Sequence, residues 1–162
     1  MTPKINIGEL IRKKLYEHGQ KEQWLAKKIG CDESKISRIC NGKSQSINTN
    51  TLISICICLK YNFFNDFVQY INTQIDNKNN ALLYTFIDNE RHIGEIIRKI
   101  KDEKGIKSKW LAEQIHLSKG DVSNIYQRKD IDVDLLAIIC ICLNFNFFEI
   151  YAKYINEQIN EI

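Results

Sequence analysis

Cysteine is the residue type with the widest chemical range in this chain, and the sequence contains six of them. Four form two Cys-Ile-Cys triplets, Cys56–Cys58 and Cys140–Cys142, inside apolar segments. On a helix, residues two apart point to nearly opposite sides, so such a pair does not easily chelate one ion. Zinc sites usually combine two Cys pairs, with about two to four residues between the cysteines of each pair. The sequence lacks this pattern. We therefore interpret the cysteines as core residues, with a metal or redox role as the alternative.

The sequence also lacks the common patterns of catalytic residues. It has no glycine-rich phosphate loop and no His-Glu-x-x-His motif. The three histidines, His18, His92 and His116, are scattered and are not placed with a nucleophile. We therefore predict that the protein is not an enzyme and uses no cofactor or metal.

Much of the sequence consists of an internal repeat. Three segments recur at an offset of 86 or 84 positions: Ile7–Lys13 as Ile93–Lys99, Trp24–Ala26 as Trp110–Ala112, and Ile55–Leu59 as Ile139–Leu143. The units of solenoid proteins are shorter, roughly 20–50 residues, and do not fold alone. The repeat predicts two tandem domains, residues 1–75 and 91–162, joined by a linker over residues 76–90.

Within each copy the apolar residues have helical spacing. Ile7, Leu10, Ile11 and Leu15 follow the i, i+3, i+4 pattern of an amphipathic helix. Four further helices are predicted near residues 21–28, 33–40, 51–59 and 64–75, and the second copy repeats them. The predicted fold class is therefore all-α, with five helices in each of two domains.

Several aromatic and apolar residues are predicted to be buried. The second helix of each copy carries a tryptophan at the same position, Trp24 and Trp110, which indicates core positions. The remaining aromatics at helical spacing should fill the core or the contact between domains: Phe63, Phe64, Phe147, Phe148, Tyr151 and Tyr154. One part of the linker is too apolar for a free tether and should pack against a domain: Leu82, Leu83, Tyr84, Phe86 and Ile87.

The second and third helices of the first copy form a helix-turn-helix pattern. Leu25-Ala26 lies in the first of them, Gly30 at the turn, and Ile36–Ile39 (Ile-Ser-Arg-Ile) in the second. The whole run Gln23–Lys43, with its Asn-Gly-Lys exit, closely resembles the phage-repressor-like (Xre/Cro) family of DNA-binding proteins. The resemblance extends over both copies. It implies a five-helix lambda-repressor-like fold, a recognition helix near Glu33–Cys40, and double-stranded DNA as the partner.

The resemblance also implies which residues contact DNA. Bases would be contacted by the early residues of the recognition helix and the residue one turn later: Glu33, Ser34, Lys35, Ser37 and Arg38. Arg38 suits a guanine edge and Glu33 a cytosine amine. The alternative for Glu33, equally open, is a first-turn acid that interacts favourably with the helix dipole. Contacts with phosphate are implied for Glu22, Asn41 and Lys43.

The second copy departs from this pattern. His116 stands where the first copy has Gly30, so either a non-glycine residue adopts a left-handed conformation or the turn differs. Gly120 lies inside the expected recognition helix, which weakens that helix. The residues implied to contact DNA here are Lys119, Asp121, Ser123, Asn124, Arg128 and Lys129. Asn124, aligned with Arg38, suits adenine. An architectural second copy that no longer reads DNA is the alternative.

Charge is distributed unevenly between the copies. Residues 1–75 carry a net charge of +5, whereas residues 91–162 are neutral. The first copy is therefore predicted to be the main DNA reader. No stretch of the sequence approaches the ~20 apolar residues of a membrane span, and the N-terminus lacks the apolar stretch of a signal peptide. We expect a cytoplasmic location, with the nucleoid when DNA is bound. The abundance of Ile, Lys and Asn is typical of an AT-rich bacterial genome.

Together these features predict sequence-specific binding of double-stranded DNA by a transcriptional regulator. A monomer with two recognition helices is favoured, and a homodimer that uses the first copy alone is the alternative. No membrane contact and no small-molecule ligand are indicated. A competing hypothesis is a protein-interaction or architectural module in which one or both units no longer read DNA.

Overall fold

The structure, a computed structural model, describes residues 5–42, 47–76, 86 and 91–160. Within these ranges the chain is all-helical apart from one isolated β-bridge. The helices found there are α1 (Ile7–Glu17), α2 (Glu22–Ile29), α3 (Glu33–Cys40), α4 (Thr49–Leu59), α5 (Phe64–Asn72), α6 (Ile93–Glu103), α7 (Ser108–Ile115), α8 (Lys119–Ile125), α9 (Val133–Leu143) and α10 (Phe148–Asn160). We call α1–α5 the first half and α6–α10 the second half. None of these helices is long and apolar enough to cross a membrane.

The turn between the second and third helices is left-handed in both halves. Gly30 ends α2 with φ of 74°, which glycine adopts without steric cost. His116 ends α7 with φ of 58°, so a residue with a side chain occupies the same left-handed position. The turn is thus retained in the second half, and the first of the two alternatives for His116 is confirmed.

A glycine near the start of the first helix in each half permits close helix contact. A Cβ atom added to Gly8 would lie 2.0 Å from the carbonyl oxygen of Ile39, and one added to Gly94 would lie 2.3 Å from that of Ile125. No side chain fits at such distances. The backbone of α1 therefore rests directly on the end of α3, and α6 rests on the end of α8, which fixes where these third helices lie.

Both halves contribute to one continuous hydrophobic core. The central helices α4 and α9 supply fully buried residues such as Leu52, Ile55, Leu136 and Ile139. The helix predicted around residues 51–59 is therefore a central buried element. The shared core means that the halves are packed together rather than strung on a flexible tether.

The halves meet mainly through α4, α5, α9 and α10. Phe64 stacks on Tyr151 with ring centroids 4.9 Å apart, and Phe67 stacks on Phe148 at 4.8 Å. Phe86, from the predicted linker, contacts Tyr151 edge-on with centroids 4.9 Å apart. The aromatic residues therefore fill the contact between the halves, as the sequence predicts.

The loops before α4 and α9 also pair with each other. Asn48 and Asp132 form an antiparallel β-bridge. The carboxylate of Asp130 accepts hydrogen bonds from Thr49 Oγ1 (3.0 Å) and from the Asn50 backbone N–H (2.9 Å). Asp130 thus caps a helix of the opposite half. This is why α4 begins at Thr49, two residues earlier than the sequence predicts.

One burial prediction is wrong. The Trp110 side chain is 42% exposed, and Trp24 is only half-buried. The stripe of α7 that faces the core consists of Leu111, Ala112 and Ile115. Trp110 lies about 100° around the helix from Leu111, at the edge of that stripe. Four apolar linker residues that were predicted to pack lie outside the described residues: Leu82, Leu83, Tyr84 and Ile87.

Candidate nucleic-acid interface

The side of α3 that faces away from the protein carries most of the predicted DNA contacts. Ile36 and Ile39 are buried against the core, because they occupy the inner stripe of the helix. Glu33, Ser34, Lys35 and Arg38 are exposed, and Ser37 is half-buried. The helix has the bounds that the sequence predicts, and its cationic side chains face outward. A helix of this size fits the major groove of B-DNA, which is about 12 Å wide.

Lys35 also has a contact within the protein. Its Nζ atom lies 3.4 Å from Thr51 Oγ1, in the first turn of α4. Both side chains are solvent-accessible and the distance is long for a hydrogen bond, so the contact is weak. A phosphate or base edge can replace it. The contact does show that the middle of α3 lies beside the beginning of α4.

Arg12 holds the C-terminal end of α3, and sequence reasoning did not single it out. Its guanidinium donates to the backbone carbonyl of Cys40 and, at 2.7 Å, to Asn41 Oδ1. The Asn41 amide in turn donates to Ser37 Oγ at 3.3 Å. A cation at this end satisfies carbonyls that the helix leaves unpaired. Arg12 lies within the repeated segment Ile7–Lys13, and that repetition was the available signal.

The beginning of α3 and the beginning of α2 share a pocket of about 380 Å³. Glu22 and Glu33 both line it, together with Arg12 and Lys21. Carboxylates at helix N-termini are favourable for the helices themselves. They do not favour phosphate, so a phosphate contact here would depend on backbone N–H groups rather than on the Glu22 side chain.

The corresponding helix of the second half, α8, begins with a capping box. Ser118 Oγ accepts from the Asp121 backbone N–H at 3.0 Å, and the Asp121 carboxylate accepts from the Ser118 N–H at 3.2 Å. Hydrogen bonding of the carboxylate to the Ser118 hydroxyl, and then to the Ser118 backbone N–H, lowers the pKa of Asp121. Asp121 therefore stabilises the helix N-terminus, which gives it a structural role besides the base contact that the resemblance implies.

The remaining predicted contacts of the second half are exposed. Lys119, Ser123 and Asn124 lie on the outer side of α8, whose buried residues are Val122 and Ile125. The Ser123 hydroxyl donates to the Lys119 carbonyl at 3.2 Å. Two cations, Arg128 and Lys129, follow the helix and are exposed as well. The formal charge of the predicted contacts in this half is +2, with Asp121 included.

The second half has a buried charged residue where the first half has an apolar one. Lys101, which aligns with Leu15, is buried, and its Nζ atom lies 2.8 Å from Asp102 Oδ1 and 3.3 Å from Ser108 Oγ. The Ser108 and Tyr126 hydroxyls are 2.8 Å apart. These residues line a pocket of about 440 Å³ between α6, α7 and α8. The two halves therefore differ beside their third helices as well as on them.

The cysteines lie in or next to the core. Cys40, Cys56 and Cys140 are buried and the other three are half-buried, and all six are free thiols. Burial raises the pKa of Cys56 and of Cys140 to about 12. Among the residues that the structure describes, no group of three or more His, Cys, Asp or Glu side chains could hold a metal ion. The core positions expected for these residues agree with the structure.

The structure thus brings most of the predicted residues of each half onto or beside the exposed side of its third helix. Lys43 lies outside the described residues, so its predicted phosphate contact has no structural counterpart here. The helix pair α2–α3, the left-handed turn at Gly30 and the exposed cations of α3 form a helix-turn-helix unit. Residues 10–72 match the Cro/C1-type HTH DNA-binding domain. That range runs from within α1 to the end of α5. The first half therefore carries an Xre-like helix-turn-helix domain, and the match supports DNA binding.

Comparisons of the whole chain add nothing to this match. No curated protein and no solved structure matches the sequence. Roles can therefore be assigned to individual side chains only from the geometry of the helix-turn-helix unit.

Proposed function

We propose that the protein is a transcriptional regulator that binds double-stranded DNA in a sequence-specific way through α3 and α8. The observation that carries this proposal is that the halves pack through α4, α5, α9 and α10. The outer faces of α3 and α8 remain exposed, and both bear residues able to contact bases. A contact that covered either face would exclude the major groove from it.

In the first half, α3 reads bases with Lys35 and Arg38. Arg38 can donate two hydrogen bonds to a guanine edge. Lys35 exchanges its weak bond to Thr51 for DNA. Asn41 is held by Arg12 and orients the end of the helix, and the Arg12 guanidinium adds positive charge at the same place. Glu33 accepts from a cytosine amine or only stabilises the helix, because both roles suit its position.

In the second half, the residues on and after α8 are better suited to contacting phosphates than to recognising bases. Lys119, Arg128 and Lys129 surround a helix whose outer stripe offers Ser123 and Asn124 to the bases. Phosphate contacts position a protein on DNA, whereas base contacts specify the sequence. We assign to the first half the stronger base discrimination, and to the second half contacts that are mainly with the DNA backbone. The two recognition helices thus divide the work unequally.

A single chain supplies both recognition helices. The residues that join the halves, such as Phe64 and Phe148, are fully buried in the chain itself. One chain per DNA site is therefore the expected stoichiometry. Native mass spectrometry of the complex measures it directly, and a complex with two chains would favour the homodimer.

Selection from a pool of random duplexes, followed by a gel-shift titration, tests the proposed function. We expect enrichment of a defined sequence. The affinity should fall steeply as the salt concentration rises, because Lys and Arg side chains that bind phosphates release counterions from DNA. Failure to enrich any sequence, or affinity that does not change with salt, would contradict the proposal. The competing role, a protein-interaction or architectural module, would then be favoured. The matched control is a variant with Lys35→Ala and Arg38→Ala, which keeps the buried face of α3 and should lose enrichment of the half-site that α3 reads.

A further inference from the structure

Two pairs of hydrogen bonds between the halves are equivalent under the 84-residue offset of the repeat. Asn62 Nδ2 donates to the Ala152 carbonyl (2.7 Å) and to Asn156 Oδ1 (2.9 Å). In return, Asn146 Nδ2 donates to the Val68 carbonyl (3.1 Å) and to Asn72 Oδ1 (3.0 Å). Every partner in the second pair is the first pair's counterpart, shifted by 84 positions into the other half.

The ring contacts and backbone bonds obey the same rule. The Phe64–Tyr151 stack corresponds to the Phe148–Phe67 stack, with centroid distances of 4.9 and 4.8 Å. The Thr49 N–H donates to the Ile131 carbonyl at 2.8 Å, and the Val133 N–H donates to the Ile47 carbonyl at 2.9 Å. The Asn48–Asp132 bridge is its own counterpart, because these two positions are 84 apart.

Reciprocal contacts of this kind define the symmetry of the interface. When residue i of one unit contacts residue j of the other and j contacts i in return, the units are related by a twofold axis. A head-to-tail arrangement would instead join two different surfaces. The halves of this chain are therefore related by a pseudo-twofold axis that passes through the Asn48–Asp132 bridge.

Both recognition helices lie at the end of the molecule where this bridge is found. Lys35 of α3 reaches Thr51, three residues beyond Asn48. In the second half, only residues 126–131 separate α8 from the bridge. The exposed faces of α3 and α8 are thus placed on either side of the axis, as the two recognition helices of a symmetric dimer would be.

We propose that one chain binds a DNA site made of two different half-sites in inverted orientation. This inference rests on the proposed function and goes beyond it by naming the architecture of the site. The pseudo-twofold axis sets the inversion, and the different residues on α3 and α8 set the difference between the half-sites. A tandem duplication alone would be equally compatible with two half-sites in direct orientation.

The natural protein cannot show the orientation, because its two recognition helices read different sequences. A variant in which α3 and α8 carry identical exposed residues can show the orientation. Ser123 already matches Ser37, so four substitutions in α8 complete the first-half stripe: Lys119→Glu, Gly120→Ser, Asp121→Lys and Asn124→Arg. Selection from random duplexes should then recover a palindrome. The variant should bind that palindrome roughly 100-fold or more tightly than a direct repeat of the same half-sites, because the direct repeat leaves one helix on mismatched bases.

The reverse transfer is the matched control: Glu33→Lys, Ser34→Gly, Lys35→Asp and Arg38→Asn. It should select a second palindrome, built from the half-site of α8. Circular dichroism and urea unfolding establish that each variant is folded, and either variant alone decides the orientation. A selected direct repeat, or a single half-site, would overturn the inference. If even the natural protein enriches no duplex, the proposed function fails instead, so the two failures are distinguishable.

Discussion

Asn62 and Asn146 hold equivalent places in the two halves, and each donates its side-chain amide to a backbone carbonyl of the other half. Both side chains are buried, with exposed fractions of 7% and 2%. A buried amide that loses its partner costs more free energy than the bond contributes when formed, so such residues specify one packing. The pair therefore sets the register in which the halves meet.

Removing one member of this pair should weaken the whole fold. We expect Asn146→Ala to lower the free energy of unfolding by about 1–3 kcal/mol, because the Val68 carbonyl and Asn72 Oδ1 lose their donor. Urea unfolding monitored by circular dichroism measures this change. Asn156→Ala is the control. It removes one acceptor only, since Asn62 still donates to Ala152, and a smaller loss is expected. Equal losses for both variants would contradict the assignment.

The same substitution at two glycines of the second half should have opposite effects. Gly94→Ala should destabilise the protein, because its Cβ atom would lie 2.3 Å from the Ile125 carbonyl oxygen. Gly120→Ala should stabilise it by about 0.5–1 kcal/mol, because alanine is the better helix former. The nearest atom to that Cβ, Ser118 Oγ, is 3.8 Å away. Thermal unfolding of both variants tests the pair, and destabilisation by Gly120→Ala would contradict the helix geometry.

The left-handed turns allow a matched exchange. His116→Gly should raise the free energy of unfolding by about 1 kcal/mol, because glycine adopts φ of 58° without steric cost. Gly30→His should lower it by a similar amount, since Gly30 has φ of 74°. Chemical denaturation of both variants provides the measurement. If neither changes stability, the turn conformations are not those described.

The unequal roles that we propose for α3 and α8 predict unequal losses of DNA affinity. Arg38→Ala should weaken binding to the selected site by roughly tenfold to a hundredfold, as expected for the loss of a bidentate base contact. Asn124→Ala should weaken it less, and Arg128→Ala should weaken specific and non-specific duplexes alike. Fluorescence anisotropy with both kinds of duplex measures these effects. Equal losses for Arg38→Ala and Asn124→Ala, or none, would count against the division of roles.

The buried thiols predict a dependence of stability on alkaline pH. Burial raises the pKa of Cys56 and Cys140 to about 12, above the usual value of about 9 for a free thiol. Their contribution to stability is complete below pH 9 and decreases as the pH rises towards 12, because the unfolded chain ionises first. Cys140→Ala should show a shallower loss of stability over this window than the natural protein. Identical pH profiles in urea unfolding would exclude this explanation.

Local signals in the sequence predicted the helices well, and long-range contacts account for what they missed. The bounds of α3 and α7 follow from neighbouring residues, since Gly30 ends the helix before α3 and His116 ends α7 itself. The early start of α4 does not, because its cap comes from Asp130, 80 positions away from Asn50. The sequence also misplaced Trp110, since periodicity alone does not show where the edge of a buried stripe lies.

The candidate site was predictable in the same partial way. The exposed stripe with Lys35 and Arg38 follows from helical periodicity around Ile36 and Ile39. The Arg12 contact with the end of α3 spans 28 positions and required the structure. The reciprocal packing of the halves was also out of reach, because a repeat does not say whether its copies touch.

The interface between the halves joins two segments of one polypeptide, and this affects how the sequence can evolve. In a dimer of identical chains, every substitution appears on both sides at once. Here Leu15 and Lys101 hold equivalent positions and differ completely in polarity. Each side can accumulate its own substitutions while the other preserves the fold. In the proposed complex with one chain per DNA site, no second protein molecule is needed, so occupancy of the site would rise in simple proportion to protein concentration in dilute solution.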